Sequence, residues 1–379
     1  MINIYINFEY SIGLSGGANS FLRNLINELQ RKGLTFVKDI DQADVIFLNA
    51  THCGKVDSTK IFLNEELVKK LYESGKPIVH RKTNNLNGGF LSEKLDSQVT
   101  YGDRLQLSFD KYINFHIFQS QFSLQTFVRA GFKSKKKEII INGVNTNIFN
   151  FIKKKSFCTN TFHSFNKFIF DKASKEQLFW RILAKIVKTF FKELNFKNIQ
   201  RNKWEKGYKF KGVITTWSDN PKKINYNEIK SLDMFLQNNK NIEVNYVGRI
   251  PKNLNLKAIK YHKSMNHQDL AEFYKDKHFY LMFNRDETCS NALIEALACG
   301  LPVIYKSSGS NAEIAQNFGC KMSKNWKKDF QMLMKNYKKF YEALVLNHSK
   351  FSISTIADQY MKIFYDVHMN EIKLIKKKT

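Results

Sequence analysis

The stretch NRDETCSNALIEALACGLPVIYKSSGSNAEI, residues 284–314, decides how the rest of the chain is read. Upstream of it, HFYLMFN (278–284) is a short apolar run of strand character that ends at Asn284. A polar loop carrying Glu287 follows. Ser290 is placed to cap a helix opening at Asn291, because its hydroxyl can accept from an otherwise unpaired first-turn amide. Gly300 and Pro302 then stop the helix before the strand PVIY, 302–305. Strand, loop, helix, strand is the unit of a parallel α/β sheet, and open sheets of this kind bind ligands at the carboxyl edge of their strands. The amides of Asn291, Ala292 and Leu293 at the helix start suit a diphosphate. Glu287 on the loop and Glu295 on the helix are acceptors only, so they suit paired hydroxyls of sugar and ribose rings rather than phosphate.

The same alternation extends in both directions. INIYINF (2–8), DVIFLN (44–49), PIVH (77–80), FHIFQS (115–120) and EIIING (138–143) have strand character. SFLRNLINELQRKG (20–33) and segments near 63–74 and 121–131 have helical spacing. The pattern restarts with GVITT (212–216), a helix near 226–237, IEVNYVG (242–248) and a helix near 267–276. Segments 326–346 and 353–375 close the chain as helices. The fold class is therefore α/β, with two doubly wound, Rossmann-like units. Their bounds are 1–150 for the first and 209–350 for the second, with 351–379 as a closing helix.

Residues 151–208 fit neither unit and form a basic insertion. Within it, Arg181, Lys185, Lys188 and Lys192 follow helical spacing opposite Phe179, Ile182, Leu183 and Phe190. Such a helix over 174–194 has what contact with an anionic membrane surface requires, which would set the protein peripherally at an inner membrane face. The cytoplasmic reading itself comes from five cysteines without paired spacing, which fit a reducing compartment. A surface helix packed on its own domain is the alternative.

Composition sets outer limits. The chain has 379 residues, 43% hydrophobic and 14% aromatic, enough for two cores and too apolar for disorder. Lys and Arg exceed Asp and Glu by 61 − 34 = 27, a balance that attracts polyanions and phosphorylated substrates. Nucleic acid is the weaker partner, since no aromatic RNA-binding motif or zinc spacing occurs. The five cysteines have no CxxC spacing, and no run approaches a membrane-spanning length. The missing GxGxxG after the first strand excludes a nicotinamide dehydrogenase.

ETCSNALIE (287–295) followed by ALACGLPVI resembles the donor site of glycosyltransferase family 4, whose members are retaining, nucleotide-sugar-dependent enzymes of the GT-B fold. INGVNTNIF (141–149) is similar to the family's end of the first domain, and SGGANSFLRNLINEL (15–29) to its glycine loop and helix. ITTWSDNPKKI (214–224) resembles the phosphate-binding stretch opening the second domain, and FSISTIADQYMKIFYD (351–366) its returning helix. Matches thus cover nearly the whole chain outside 151–208.

By this resemblance Glu295 grips the ribose, Glu287 touches the donor sugar and Lys223 offsets diphosphate charge. Gly16 and Gly17 bring backbone to the donor. No metal or other cofactor is implied; the nucleotide sugar is a co-substrate, and the acceptor is a glycan, a lipid-linked group or another hydroxyl. VHRKTNN (79–85) resembles a cleft-lining stretch, which nominates His80 and Arg81 for acceptor or phosphate, with a capped strand end as the alternative, and His52 as a further cleft candidate. Two departures stand out: Trp217 occupies the place of a usual Arg, and Ile224 that of a usual Gly. Arg249 is the candidate second cation, with a surface ion pair as its alternative. Thr83 and Asn84 replace a usual Asp-Gly, which leaves a non-catalytic sugar-nucleotide or nucleic-acid binding relative as the competing reading.

Overall fold

Two parallel six-stranded sheets organise the chain in a computed structural model that describes residues 2–7, 17–49, 52–56, 59–83, 105–151, 209–217, 223–251, 254–323 and 325–378. The first sheet is built from β1 (Asn3–Ile6), α1 (Gly17–Arg31), β2 (Thr35–Val37), β3 (Val45–Asn49), the antiparallel hairpin β4 (His52–Val56) and β5 (Thr59–Phe62), α2 (Glu65–Glu73), β6 (Ile78–Lys82), β7 (Phe115–Phe118), α3 (Gln121–Arg129) and β8 (Lys137–Ile139). Its strand order is β2-β1-β3-β6-β7-β8, with the hairpin as a separate small sheet. VIFLN and IVHRK are buried along their whole length, as central strands covered on both faces require. Asn64 and Ser120 cap α2 and α3 by accepting from the amides of Leu67 and Ser123.

The second sheet comprises β9 (Phe210–Thr216), α4 (Tyr226–Gln237), β10 (Ile242–Gly248), β11 (Lys260–His262), α5 (His267–Tyr274), β12 (Phe279–Met282), α6 (Asn291–Ala298), β13 (Val303–Tyr305), α7 (Asn311–Ala315) and β14 (Gly319–Lys321), followed by α8 (Trp326–Lys335) and α9 (Tyr337–Leu346). Its order is β11-β10-β9-β12-β13-β14. The winding direction reverses between β9 and β12, so their carboxyl ends leave a crevice there.

The last helix, α10 (Ile353–Lys378), packs on the first sheet rather than the second. Its Ile356, Tyr360 and Phe364 join Ile4, Phe21, Leu25 and Phe47 in one core. In the opposite direction, Phe149 and Val144 contribute to a core of the second unit. The chain thus crosses between the units twice.

Three features differ from the sequence expectation. The edge strands β2, β11 and β14 have three residues each, too few to show a period. The β4–β5 hairpin occupies residues to which the sequence reading assigns no element. Segment 326–346 is two helices, broken at Asn336, whose amide closes α8 on Met332 and whose side chain donates to the same carbonyl. The basic stretch 174–194 lies outside the described residues, as does Gly16.

Candidate functional site

The crevice of the second sheet is where Lys223 and Glu287 meet. Lys223 lies beyond β9, and its carbonyl accepts from the Arg285 amide at 2.8 Å, which ties the two crevice loops together. Its Nζ lies 3.5 Å from Glu287 Oε1, with the lysine side chain 51% exposed and the glutamate 21%. Asn284 Nδ2 donates to the same oxygen at 3.4 Å. These are long contacts between partly solvated groups, of the kind that contribute roughly 0–1 kcal/mol. A stronger ligand can take either group from the other.

The loop bearing Glu287 is itself held rigidly. Asp286 takes φ 52°, and its amide and carboxylate both bond the Ser308 hydroxyl. Ser310 donates its amide to the Glu287 carbonyl at 2.9 Å, and buried Asn311 donates to the carbonyl of Asn284 at 2.8 Å. Gly309, at φ 58°, lies so close that a Cβ would come within 2.5 Å of the Glu287 carbonyl oxygen. The run SSGSN (307–311) is therefore the platform for Glu287, a role its sequence does not advertise.

Ser290 caps α6 as expected from its position, accepting from the Leu293 amide at 3.4 Å. The Leu293 amide is thus engaged by its own cap, and the amides of Asn291 and Ala292 precede it at the helix start. Glu295 lies one turn further on and is only 4% exposed. Burial pushes its carboxyl up to about 7. Oε2 has no hydrogen-bond partner among the described residues, and Oε1 is 3.9 Å from His267 Nε2. His267, at the start of α5, packs its ring edge-on to Phe149, and burial, followed by the charge of Arg23, holds it below the usual imidazole range. A neutral imidazole thus faces a carboxyl poised near neutrality. Neither His267 nor Arg23 was singled out in the sequence. Each comes from a helix remote from Glu295 in the chain, and only His267's place after the capping Asn266 marks a helix start.

Arg249 follows β10 at the same edge. It is exposed, and its amide donates to the Thr216 carbonyl at 3.1 Å. It thus stands beside the end of β9, and among the described residues no hydrogen bond or ion pair ties its guanidinium to Glu287. Trp217 packs against the second unit's core, and Ile224 is buried in another, which accounts for both departures as packing residues.

The first unit corrects the remaining assignments. His80 and Arg81 are completely buried and do not line an open cleft. Arg81 Nη1 donates to Asn49 Oδ1 at 2.7 Å and Nη2 to Asn142 Oδ1 at 2.8 Å, with the guanidinium over the Phe21 ring. His80 pairs in register with His116 on β7 and packs against Phe109. His80, His116 and Asp110 bring ligand-type atoms within 4.8 Å of one another. Lys82 Nζ already donates to Asp110 Oδ1 at 2.7 Å, so the carboxylate has the chain's own cation as its counter-charge. His52 lies in β4, opposite Phe62, and Gly17 opens α1.

The profile of the glycosyl transferases group 1 family matches residues 219–344, which contain Lys223, Arg249, Glu287 and all of α6. No protein of curated function matches the chain by sequence. Solved structures match over nearly its whole length. One is Anabaena Alr3699/HepE in complex with UDP-glucose, at 13% identity and TM-score 0.60, covering 97% of this chain and 100% of that one. Another is sucrose-phosphate synthase from Thermosynechococcus elongatus, at 12% identity and TM-score 0.59, covering 98% and 100%. A third is WaaG, a glycosyltransferase involved in lipopolysaccharide biosynthesis, at 10% identity and TM-score 0.55, covering 96% and 99%. The architecture is the two-unit GT-B fold, and the match to the glycosyl transferases group 1 family falls within its second unit.

Proposed function

We propose that this GT-B chain moves a sugar from a nucleoside-diphosphate donor to a hydroxyl acceptor. The observation that carries the reading is the convergence, at the crevice between β9 and β12, of a loosely held Lys223–Glu287 pair with a buried glutamate that keeps one acceptor oxygen unbonded. A sugar nucleotide offers what that arrangement lacks. Paired ribose hydroxyls donate to Glu295, and the diphosphate draws Lys223 away from Glu287 towards the amides of Asn291 and Ala292. Glu287 then accepts from a hydroxyl of the donor sugar. As the glycosidic bond breaks, charge grows on the leaving diphosphate, and Lys223 with the helix start stabilises it electrostatically. The reading assigns no metal to this work.

In its finer form the reaction retains the anomeric configuration, the acceptor attacking from the face the diphosphate leaves. The acceptor is a glycan or lipid-linked hydroxyl approaching from the first unit. Among the described residues no helix is long and apolar enough to cross a membrane. Peripheral contact with an anionic membrane surface is part of this proposal through the sequence of 174–194 alone.

Titration calorimetry with UDP and UDP-glucose tests the core of the reading. The parent protein should bind both, and Glu295→Gln should weaken both by about ten- to a hundred-fold, since one charge-assisted bond to ribose is lost. Equal UDP affinity in parent and variant would remove the ribose assignment. Binding without slow release of UDP from UDP-glucose or a panel of other sugar nucleotides would favour the non-catalytic relative.

A further inference from the structure

The loop that starts α6 is held from the other unit. Thr288 Oγ1 donates to Gln119 Oε1 at 3.0 Å, the Asn142 amide donates to Cys289 Sγ at 3.3 Å, and Asn142 Nδ2 donates to Asn291 Oδ1 at 2.7 Å. Gln119 follows β7, and Asn142 follows β8. Three consecutive contacts therefore clasp residues 288–291 between Glu287 and the helix.

The orientation of Asn142 is not free. A guanidinium can only donate, so the Asn142 atom facing Arg81 must be the carbonyl oxygen. Gln119 Nε2 also donates to that oxygen, at 3.2 Å. With the oxygen fixed, the NH2 group has one remaining direction, towards Asn291. Arg81 is in turn held by Asn49 and by the Phe21 ring. Every member of the chain Asn49–Arg81–Asn142 is buried, so each bond is sheltered from competing water.

We infer that Asn142 is a positioning residue for the donor side: it transmits the fixed orientation of Arg81 across the crevice to Asn291 and so sets where α6 begins. This rests on the donor reading above for its functional meaning, but the physical coupling does not depend on it. Asn142 touches no reacting atom. It acts through Asn291 and Cys289 on the two amides that would meet a diphosphate.

The test compares Asn142→Ala with Ile140→Val, a modest loss of packing two residues away in the first unit's core, where Ile140 is 1% exposed. Amide hydrogen exchange of the peptide covering 288–294 is read first, without ligand. Asn142→Ala should speed that exchange by about ten-fold while α2 exchanges as in the parent, and Ile140→Val should leave 288–294 unchanged. UDP affinity is read second. It should fall about three- to ten-fold in Asn142→Ala and stay level in Ile140→Val. Unchanged exchange at 288–294, or equal change in both variants, would overturn the inference whatever happens to UDP. A parent protein that binds no sugar nucleotide would instead overturn the donor reading, and the exchange comparison would still decide the role of Asn142.

Discussion

At the carboxyl edge of the second sheet, Lys223 keeps half of its side chain in solvent and touches Glu287 at 3.5 Å. At the carboxyl edge of the first, Arg81 is buried completely and directs two N–H groups to the oxygens of Asn49 and Asn142 at 2.7 and 2.8 Å. Both cations stand at sheet edges where α/β proteins bind ligands, yet only one is available to a ligand. A loosely paired, solvated ammonium can change partners at almost no cost, whereas a buried guanidinium bonded through both of its terminal nitrogens can leave only by exposing the amide oxygens it holds. Position at a sheet edge nominates a residue; the strength of its existing bonds decides whether it is free to act.

The contrast can be broken most forcefully at Arg81. Arg81→Ala should lower the free energy of unfolding by about 3–5 kcal/mol, because it takes the donor from the buried Asn49 oxygen, removes one of the two donors to Asn142 Oδ1 and opens a cavity beneath Phe21. Denaturant midpoints measure this, and a loss below about 1 kcal/mol would return Arg81 to the list of groups free to meet substrate.

Next in size is the pH dependence arising from Glu295, whose folded carboxyl stands at about 7 against 4.5 for the ordinary group. Between those values the folded state holds a proton that the unfolded state has released. Stability therefore falls as pH rises through this window, by a total on the order of 3 kcal/mol. Glu295→Gln should remove that slope, so unfolding measured from pH 4 to 8 should show the variant gaining on the parent towards the alkaline end. Parallel curves would mean that folding leaves the carboxyl's titration where it stands in the unfolded chain.

Gly309→Ala is expected to cost about 1–3 kcal/mol, since alanine strains the left-handed backbone there and drives a methyl into the Glu287 carbonyl. Thermal unfolding reads the cost. A neutral outcome would show that the SSGSN platform yields readily. The smallest effect on stability belongs to Lys223→Ala, within about 0.5 kcal/mol, although UDP affinity should drop about ten-fold or more. A variant as damaged in folding as Arg81→Ala would erase the distinction between the two edges.

Much of the second site could be read from the chain because its parts are close in sequence. Ser290, Glu287 and Glu295 fall on one strand–loop–helix run, where periodicity and capping chemistry place each residue. The first unit's contribution was hidden for the opposite reason. Asn142 meets Asn291 across 149 positions, and nothing local to INGVN distinguishes a residue that bonds another unit from one that ends a strand. His80 and Arg81 were misplaced because histidine and arginine at a strand end look the same whether solvated or enclosed. Only the neighbouring Asn49, Phe21 and Phe109 show which. The short edge strands failed for want of length, not of chemistry.

The return of α10 to the first sheet has a bearing on biosynthesis. Lys32 Nζ bonds Asp358 Oδ1 over a separation of 326 residues, and the core around Phe21 and Phe47 is completed by Tyr360 and Phe364. A ribosome delivers the two halves of that core some 326 residues apart. All of the second sheet emerges in between, so the unit begun first is finished last. Until then the faces of α1 and β3 that α10 will cover remain apolar and uncovered on the nascent chain, the form in which folding intermediates are most prone to self-association.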